Sequence, residues 1–157
     1  MTNYGKARLI AFAVPLALLA GALGSQYLGG LYPCEMCHWQ RWPHYAAVPL
    51  AALSILFARQ MVVSTLFLSL AMMAIFTSGV IGVFHAGVEY GWWQGLTACT
   101  MSGSGSGNSL ADIMAAPLVS CDEPQWTLFG ISLAGFNAII SIGTAIAITW
   151  LATRKTK

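Results

Sequence analysis

The sequence predicts an all-α membrane protein. Its form is a four-helix transmembrane bundle with two loops on the non-cytoplasmic side, the second carrying a short membrane-surface helix. Three observations lead there. Of 157 residues, 57% are hydrophobic and only 8% charged, against about 25% charged in a soluble domain, so lipid must cover much of the surface. Four long apolar runs divide the chain. The basic residues gather on one side of the topology those runs imply. The length suits one domain spanning 1–157, and a net charge of +2 gives no footing for nucleic acid.

The runs are Leu9–Leu28, Trp42–Ala58, Met61–Phe84 and Leu128–Leu151. A helix needs about 20 residues to cross a hydrocarbon core of roughly 30 Å. The first, third and fourth runs meet that length. The second is shorter and opens in an aromatic stretch suited to the interface. Read without a break, Trp42–Phe84 would overshoot the bilayer about twofold at 1.5 Å per residue, so the chain turns at Arg59-Gln60, the polar pair inside it. Pro15 and Pro49 fall inside predicted helices, where neighbouring helices resatisfy the backbone. Ala20-Gly21-Ala22 resembles a signal cleavage site, but the apolar run exceeds the 7–15 residues of a signal core, and the first span is read as retained.

With four spans the termini share a side with Arg59. That side holds Lys6, Arg8, Arg59, Arg154, Lys155 and Lys157, six of the seven basic residues; the other holds Arg41 and all five acids, Glu35, Glu89, Asp112, Asp122 and Glu123. By the positive-inside rule both termini are cytoplasmic. Two loops then face outward, about 29–41 with Cys34 and Cys37, and about 86–125 with Cys99 and Cys121. Tyr27, Tyr32, Trp39, Trp42, Tyr45, Tyr90, Trp92, Trp93 and Trp126 lie at the same level, as an interfacial belt would, or as rings on which a planar ligand could stack. In the long loop, Ser102–Gly107 is a flexible Ser/Gly linker by composition. Ser109 can cap a short helix, with Leu110, Ile113, Met114 and Leu118 repeating at helical spacing and Pro117 limiting it to about two turns; its apolar stripe can rest on the membrane surface.

All four cysteines lie outside the spans. An even count in an oxidising compartment normally means disulfides, and two structural staples would satisfy it. The Cys34-Glu35-Met36-Cys37 spacing argues for exchange instead: so small a ring constrains the chain little, while an attacking thiolate needs its partner within reach. Cys34–His38 also matches a c-type haem attachment motif, but a loop of roughly a dozen residues cannot enclose the macrocycle, and haem leaves Cys99 and Cys121 unexplained. Zinc held by four cysteines would be a closed site, for which the Cys99–Cys121 spacing is wrong; no metal is expected. Arg41 follows Cys37 by four residues, on the same helical face, where a cation and a helix N-terminus lower a thiol pKa. His85 and Glu89, four apart at the outer rim of the third span, are candidates for proton handling; His38 and His44 have a weaker case.

With these residues placed, the chain resembles the disulfide bond formation protein B (DsbB) family over nearly its whole length. The strongest local match is Pro33-Cys34-Glu35-Met36-Cys37-His38-Trp39-Gln40-Arg41, and Phe84-His85-Ala86-Gly87-Val88-Glu89 with Trp92-Trp93 and Cys99 resembles an alphaproteobacterial branch. The resemblance implies an inner-membrane thiol:quinone oxidoreductase. A reduced periplasmic DsbA-type thioredoxin-fold oxidase would attack the Cys99–Cys121 disulfide at Cys99. Released Cys121 would attack Cys34, and Cys37 would pass the electrons to ubiquinone or menaquinone. Cys34, Cys37, Cys99 and Cys121 are the expected catalytic residues; Arg41, Gln40 and His85 are expected at the cofactor. Two features depart from the pattern: Glu35 sets a negative charge beside the cysteines, which should disfavour a thiolate there, and the Ser/Gly linker is atypical. Other readings are a paralogue dedicated to one oxidase, a vitamin K epoxide reductase-like enzyme (whose Cys-X-X-Cys should start a later span), and a scaffold with structural disulfides.

Overall fold

The computed structural model describes residues 2–95, 100–101 and 118–154. Four long helices dominate: α1 (Asn3–Tyr27), α2 (Glu35–Leu56), α3 (Met61–Glu89) and α4 (Leu133–Thr153). Two minimal antiparallel strand pairs lie between α3 and α4: β1 (Thr100–Met101) with β2 (Leu118–Val119), and β3 (Thr127–Leu128) with β4 (Ile131–Ser132). α1, α3 and α4 are long and apolar enough to cross a membrane. α2 has 22 residues, about 33 Å of helix, but Glu35, His38, Gln40, Arg41 and His44 make its first turns polar.

The helices form a ring in which α2 packs on α1 and α3, and α4 closes it against α3 and α1. Small residues make up much of the interior: Ala7, Ala11, Ala47, Ala51 and Ala71 are fully buried, with Leu68, Ile75 and Ile148 filling the gaps between them. Large apolar side chains such as Leu66, Met73, Phe76, Ile139 and Ile146 point outward. That inversion suits a bundle in lipid, where tails are as apolar as leucine and close backbone packing, not burial of bulk, drives association. The α3–α4 seam shows it best. A Cβ on Gly82 would lie 3.0 Å from the Ala134 carbonyl oxygen and 3.0 Å from the Ala138 nitrogen. Ser54 and Ser64 clamp α2 to α3, each hydroxyl donating to the other's carbonyl, at 2.9 and 2.7 Å.

The element boundaries differ from the sequence expectation most at the end that carries the cysteines, and α1 starts earlier, at Asn3 and not Leu9. α2 starts at Glu35, well before Trp42, because Cys34 acts as its N-cap: extended at ψ 170°, its sulfur accepts the Cys37 N–H at 3.3 Å. α3 runs through to Glu89, past Phe84. α4 starts at Leu133, not Leu128, because Phe129 (φ 52°) and Gly130 (φ 78°) turn the β3–β4 hairpin, the two-positive-φ geometry that matches strand twist; Ser132 then caps α4 by accepting the Gly135 N–H at 3.1 Å. Between α2 and α3 the chain turns at residues 57–60. The Ser/Gly linker, the proposed 109–117 surface helix and Cys99 lie outside the described residues.

Candidate active site

The capping geometry of α2 determines the local chemistry. With Cys34 at the N-cap and Cys37 in the first turn, the two sulfurs stand 3.0 Å apart, the Cys34 thiol donating to Cys37. One proton is shared between two sulfurs, and the environment decides its owner. The hydrogen bond to Cys37, followed by burial, pushes the Cys34 thiol far up. The bond from Cys34 draws Cys37 below the ordinary thiol range against its own burial, helped by the backbone contact with Cys34 and by the Arg41 charge. The dithiol is therefore polarised, with Cys37 the more acidic of the two thiols. Glu35 is the first residue of α2, where an acid complements the helix dipole; Cys37 is lowered with that charge nearby, and the acid that opposes the lowering is Glu89.

The end of α3 supplies the flank. His85, 2% exposed, places Nε2 3.5 Å from the Cys34 sulfur and 3.7 Å from a Glu89 carboxylate oxygen. Its Nδ1 lies 2.7 Å from Gln40 Nε2. Glu89 accepts a hydrogen bond from the Ser132 hydroxyl. The segment after β2 brings Cys121 into the same buried cluster as Cys34, Met36 and Val88, and His85 hydrogen-bonds the Cys121 backbone. Gln125 Nε2 donates to the Tyr32 carbonyl at 2.5 Å, tying the two connecting segments together. Three of the four expected catalytic cysteines thus meet at one point. The donor atoms of Cys34, Cys37 and His85 lie within 4.8 Å of one another, a set able to hold a thiophilic metal ion.

Arg41 is buried, but its hydrogen bonds go elsewhere than the i,i+4 spacing suggested. One guanidinium nitrogen donates to Gln26 Oε1 at 2.5 Å and the other to the Ala22 carbonyl at 3.1 Å, both on α1. Cys37 feels its charge while Arg41 clamps α1 to α2. Beside that clamp lies a cavity of about 200 Å³, bounded by α1, α2 and α4, with Cys37, Gln40, Arg41, His44 and Asn137 among Ala17, Leu18, Leu19, Gly21, Ala22, Leu133, Ala134 and Phe136. A smaller one of about 50 Å³, sharing Cys37 and Arg41 with the first, reaches Cys34, His85, Glu89 and Trp126. The only ring of the predicted aromatic belt on either cavity besides Tyr32 is Trp126. Trp93 instead folds back on α3, stacking on Phe84 with centroids 5.8 Å apart and donating to its carbonyl at 2.8 Å.

Sequence reasoning missed Asn137. It donates to Gln40 Oε1 at 2.8 Å and meets His44 Nε2 through Oδ1 at 3.0 Å, so it joins α4 to the site. Its signal was available: an amide in an otherwise apolar 21-residue helix is a polar group that must find a partner. Ser78, whose hydroxyl donates to the Gln40 carbonyl at 2.7 Å, gave no comparable signal.

A helical membrane bundle with a polarised dithiol at one end, a third cysteine beside it and a cavity behind it defines a membrane thiol–disulfide oxidoreductase. Comparison with known proteins agrees. The family model of disulfide bond formation protein DsbB matches residues 5–151, and the chain belongs to the DsbB family. An uncharacterized protein of Rickettsia prowazekii (strain Madrid E) is 27% identical over 145 residues, covering 89% of this chain and 83% of that one, which fits an alphaproteobacterial-like branch. No solved structure matches the chain. Membership makes this a membrane oxidoreductase of disulfide bond formation, in a family generally linked to quinones and to DsbA-type partners.

Proposed function

We propose that this protein reoxidises a periplasmic DsbA-like thioredoxin-fold oxidase and delivers the electron pair to ubiquinone or menaquinone in the bacterial inner membrane. On this reading 1–157 is a single domain of four spans, α2 among them, with cytoplasmic termini and periplasmic cysteines. The partner's thiolate attacks Cys99 and displaces Cys121. Cys121 attacks Cys34 of the Cys34–Cys37 disulfide, and Cys37 leaves as a thiolate. The partner's second thiolate resolves the mixed disulfide and frees Cys99, which attacks Cys121 of the Cys34–Cys121 bond, re-forming Cys99–Cys121 and releasing Cys34. Cys34 and Cys37 then re-form their disulfide as quinone takes up their two electrons and two protons. The net exchange is dithiol plus quinone to disulfide plus quinol.

The observation that carries this reading is the position of Cys37. Its sulfur touches Cys34, in the cluster that holds Cys121, and the residue also lines the cavity with Arg41, so Cys37 belongs to both halves of the relay. The lowered pKa makes it a good leaving group from Cys34 and a ready electron donor. A cavity of about 200 Å³ is smaller than the 300–1,000 Å³ usual for whole ligands, which suits a ring whose isoprenoid tail stays in lipid. Gln40 and Arg41 border that cavity, while His85 serves the Cys34 side. The test is a reconstituted assay with reduced oxidase and short-chain ubiquinone, following quinone absorbance. Wild type turns over and Cys37→Ser does not; equal turnover in the variant overturns the assignment.

A further inference from the structure

A single direction of hydrogen bonding runs through the polar side chains behind the dithiol. Asn137 Nδ2 donates to Gln40 Oε1 at 2.8 Å and to the Ser78 carbonyl at 3.2 Å. That orientation leaves Asn137 Oδ1 as an acceptor, and it takes the Ser141 hydroxyl at 3.0 Å. His44 Nε2, 3.0 Å from the same Oδ1, must therefore carry the hydrogen. A neutral imidazole has one donor and one acceptor, so Nδ1 of His44 is a lone pair. It is buried and has no hydrogen-bond partner among the described residues, and His44, 3% exposed, borders the cavity. Buried acceptors are rarely left unmatched, and this one belongs to a residue on the cavity wall.

Arg41 and His44 are three residues apart, neighbours on one face of α2. One offers N–H donors and the other a bare acceptor. An oxidised quinone carries two carbonyl acceptors, and only one could be satisfied between them. A quinol carries two hydroxyls, each able to donate. We propose that His44, oriented by Asn137, makes the cavity selective for quinol over quinone by accepting a hydroxyl hydrogen bond at Nδ1. This rests on the quinone reading above and adds a direction to it: tighter binding of the reduced form raises the potential of the bound carrier and draws electrons from Cys37. For a two-electron couple a tenfold preference corresponds to about 30 mV.

The experiment uses the full chain in nanodiscs, with ubiquinone carrying one isoprenoid unit and its quinol. Wild type should show a quinol inhibition constant about tenfold below the quinone KM. His44→Leu should lose that preference, the two constants converging through weaker quinol inhibition, while thiol exchange with reduced oxidase persists. His44→Gln, which keeps an acceptor, should retain part of it. Gly21→Leu reads the cavity independently, because Gly21 lines it and a Cβ there meets nothing within 4 Å among the described residues; it should weaken both ligands alike, leaving their ratio intact. A wild-type ratio near one, or an undiminished ratio in His44→Leu, overturns the inference while leaving the quinone reading standing. Should His44→Leu fail to exchange thiols, a Gly21→Leu variant that shifts the ratio, or a His44→Gln variant without preference, overturns it. Wild type that exchanges thiols but reduces no quinone overturns the proposed function, and this inference with it.

Discussion

Replacing Cys34 with alanine in the reduced protein removes the hydrogen bond that polarises Cys37. The sulfurs are 3.0 Å apart and Cys34 is the donor; a bond to a charged acceptor is worth about 1.5–3 kcal/mol, or roughly ten- to a hundredfold in thiolate population at about 1.4 kcal/mol per decade. The less acidic thiolate is also the better nucleophile, with a Brønsted coefficient of about 0.4–0.5, which returns about half of that logarithm. The net expectation is a three- to tenfold slower reaction of Cys37 at neutral pH. The sign follows from the direction of the shift. A lowered thiol pKa stabilises the thiolate above that pKa, the advantage is lost as pH falls through it, and removing the donor moves the whole curve to higher pH. The assay is timed alkylation with iodoacetamide across pH, in a background with Cys99 and Cys121 replaced by alanine, read by mass spectrometry. Cys34→Ser keeps an O–H donor and should react faster than Cys34→Ala at neutral pH. Equal rates for the two variants at every pH would refute the shared-proton account.

Four further outcomes are expected. Arg41→Gln removes two hydrogen bonds to α1 and a cation acting on Cys37; it should lower bundle stability by about 2 kcal/mol and move Cys37 alkylation to higher pH, read by thermal denaturation in detergent and by the same alkylation series. Gly82→Leu forces a side chain against α4 backbone, with contacts of 3.0 Å from its first carbon alone, and should destabilise by about 1–3 kcal/mol or more. Gly21→Ala, in open space, should gain about 0.5–1 kcal/mol from helix preference. Gly87→Val should expel Trp93, whose ring atoms would lie 2.0 Å from the new Cβ, so tryptophan fluorescence shifts toward that of a solvated ring; an unchanged spectrum would contradict the packing described.

Much of the fold was legible because lipid imposes a crude rule: runs of apolar residues become helices, and their number and charge asymmetry follow by counting. What was not legible depended on single hydrogen bonds at helix ends. Cys34 read as a loop thiol, and nothing in its type announced a helix cap, so the apolar run from Trp42 and a helical Cys37–Arg41 turn were foreseen but not a helix starting at Glu35. Leu128–Ile131 read as apolar and therefore helical, although Gly130 and Ser132 were the turn and cap that the pattern should have yielded. At the site, sequence spacing correctly brought Arg41 near Cys37 on one helical face, but could not show that its donors reach across to Gln26 and Ala22. The meeting of His85 with Cys34 and Gln40 is tertiary, since it joins α3 to α2 across the bundle. Asn137 also reaches the site across the bundle, from α4: its amide was a signal in the sequence, but the partners it finds, Gln40 and His44, were not.

The relay stands or falls on a bond between the two cysteine-bearing segments. Wild-type protein with both disulfides formed should be mixed with reduced thioredoxin-fold oxidase in the absence of quinone, quenched with an alkylating agent, and mapped by non-reducing peptide mass spectrometry. The account predicts a Cys34–Cys121 disulfide that accumulates under these conditions, with Cys37 alkylated, and that disappears when ubiquinone is added. If the oxidase is oxidised while Cys34 and Cys121 are never joined, electrons take another route and the account is contradicted.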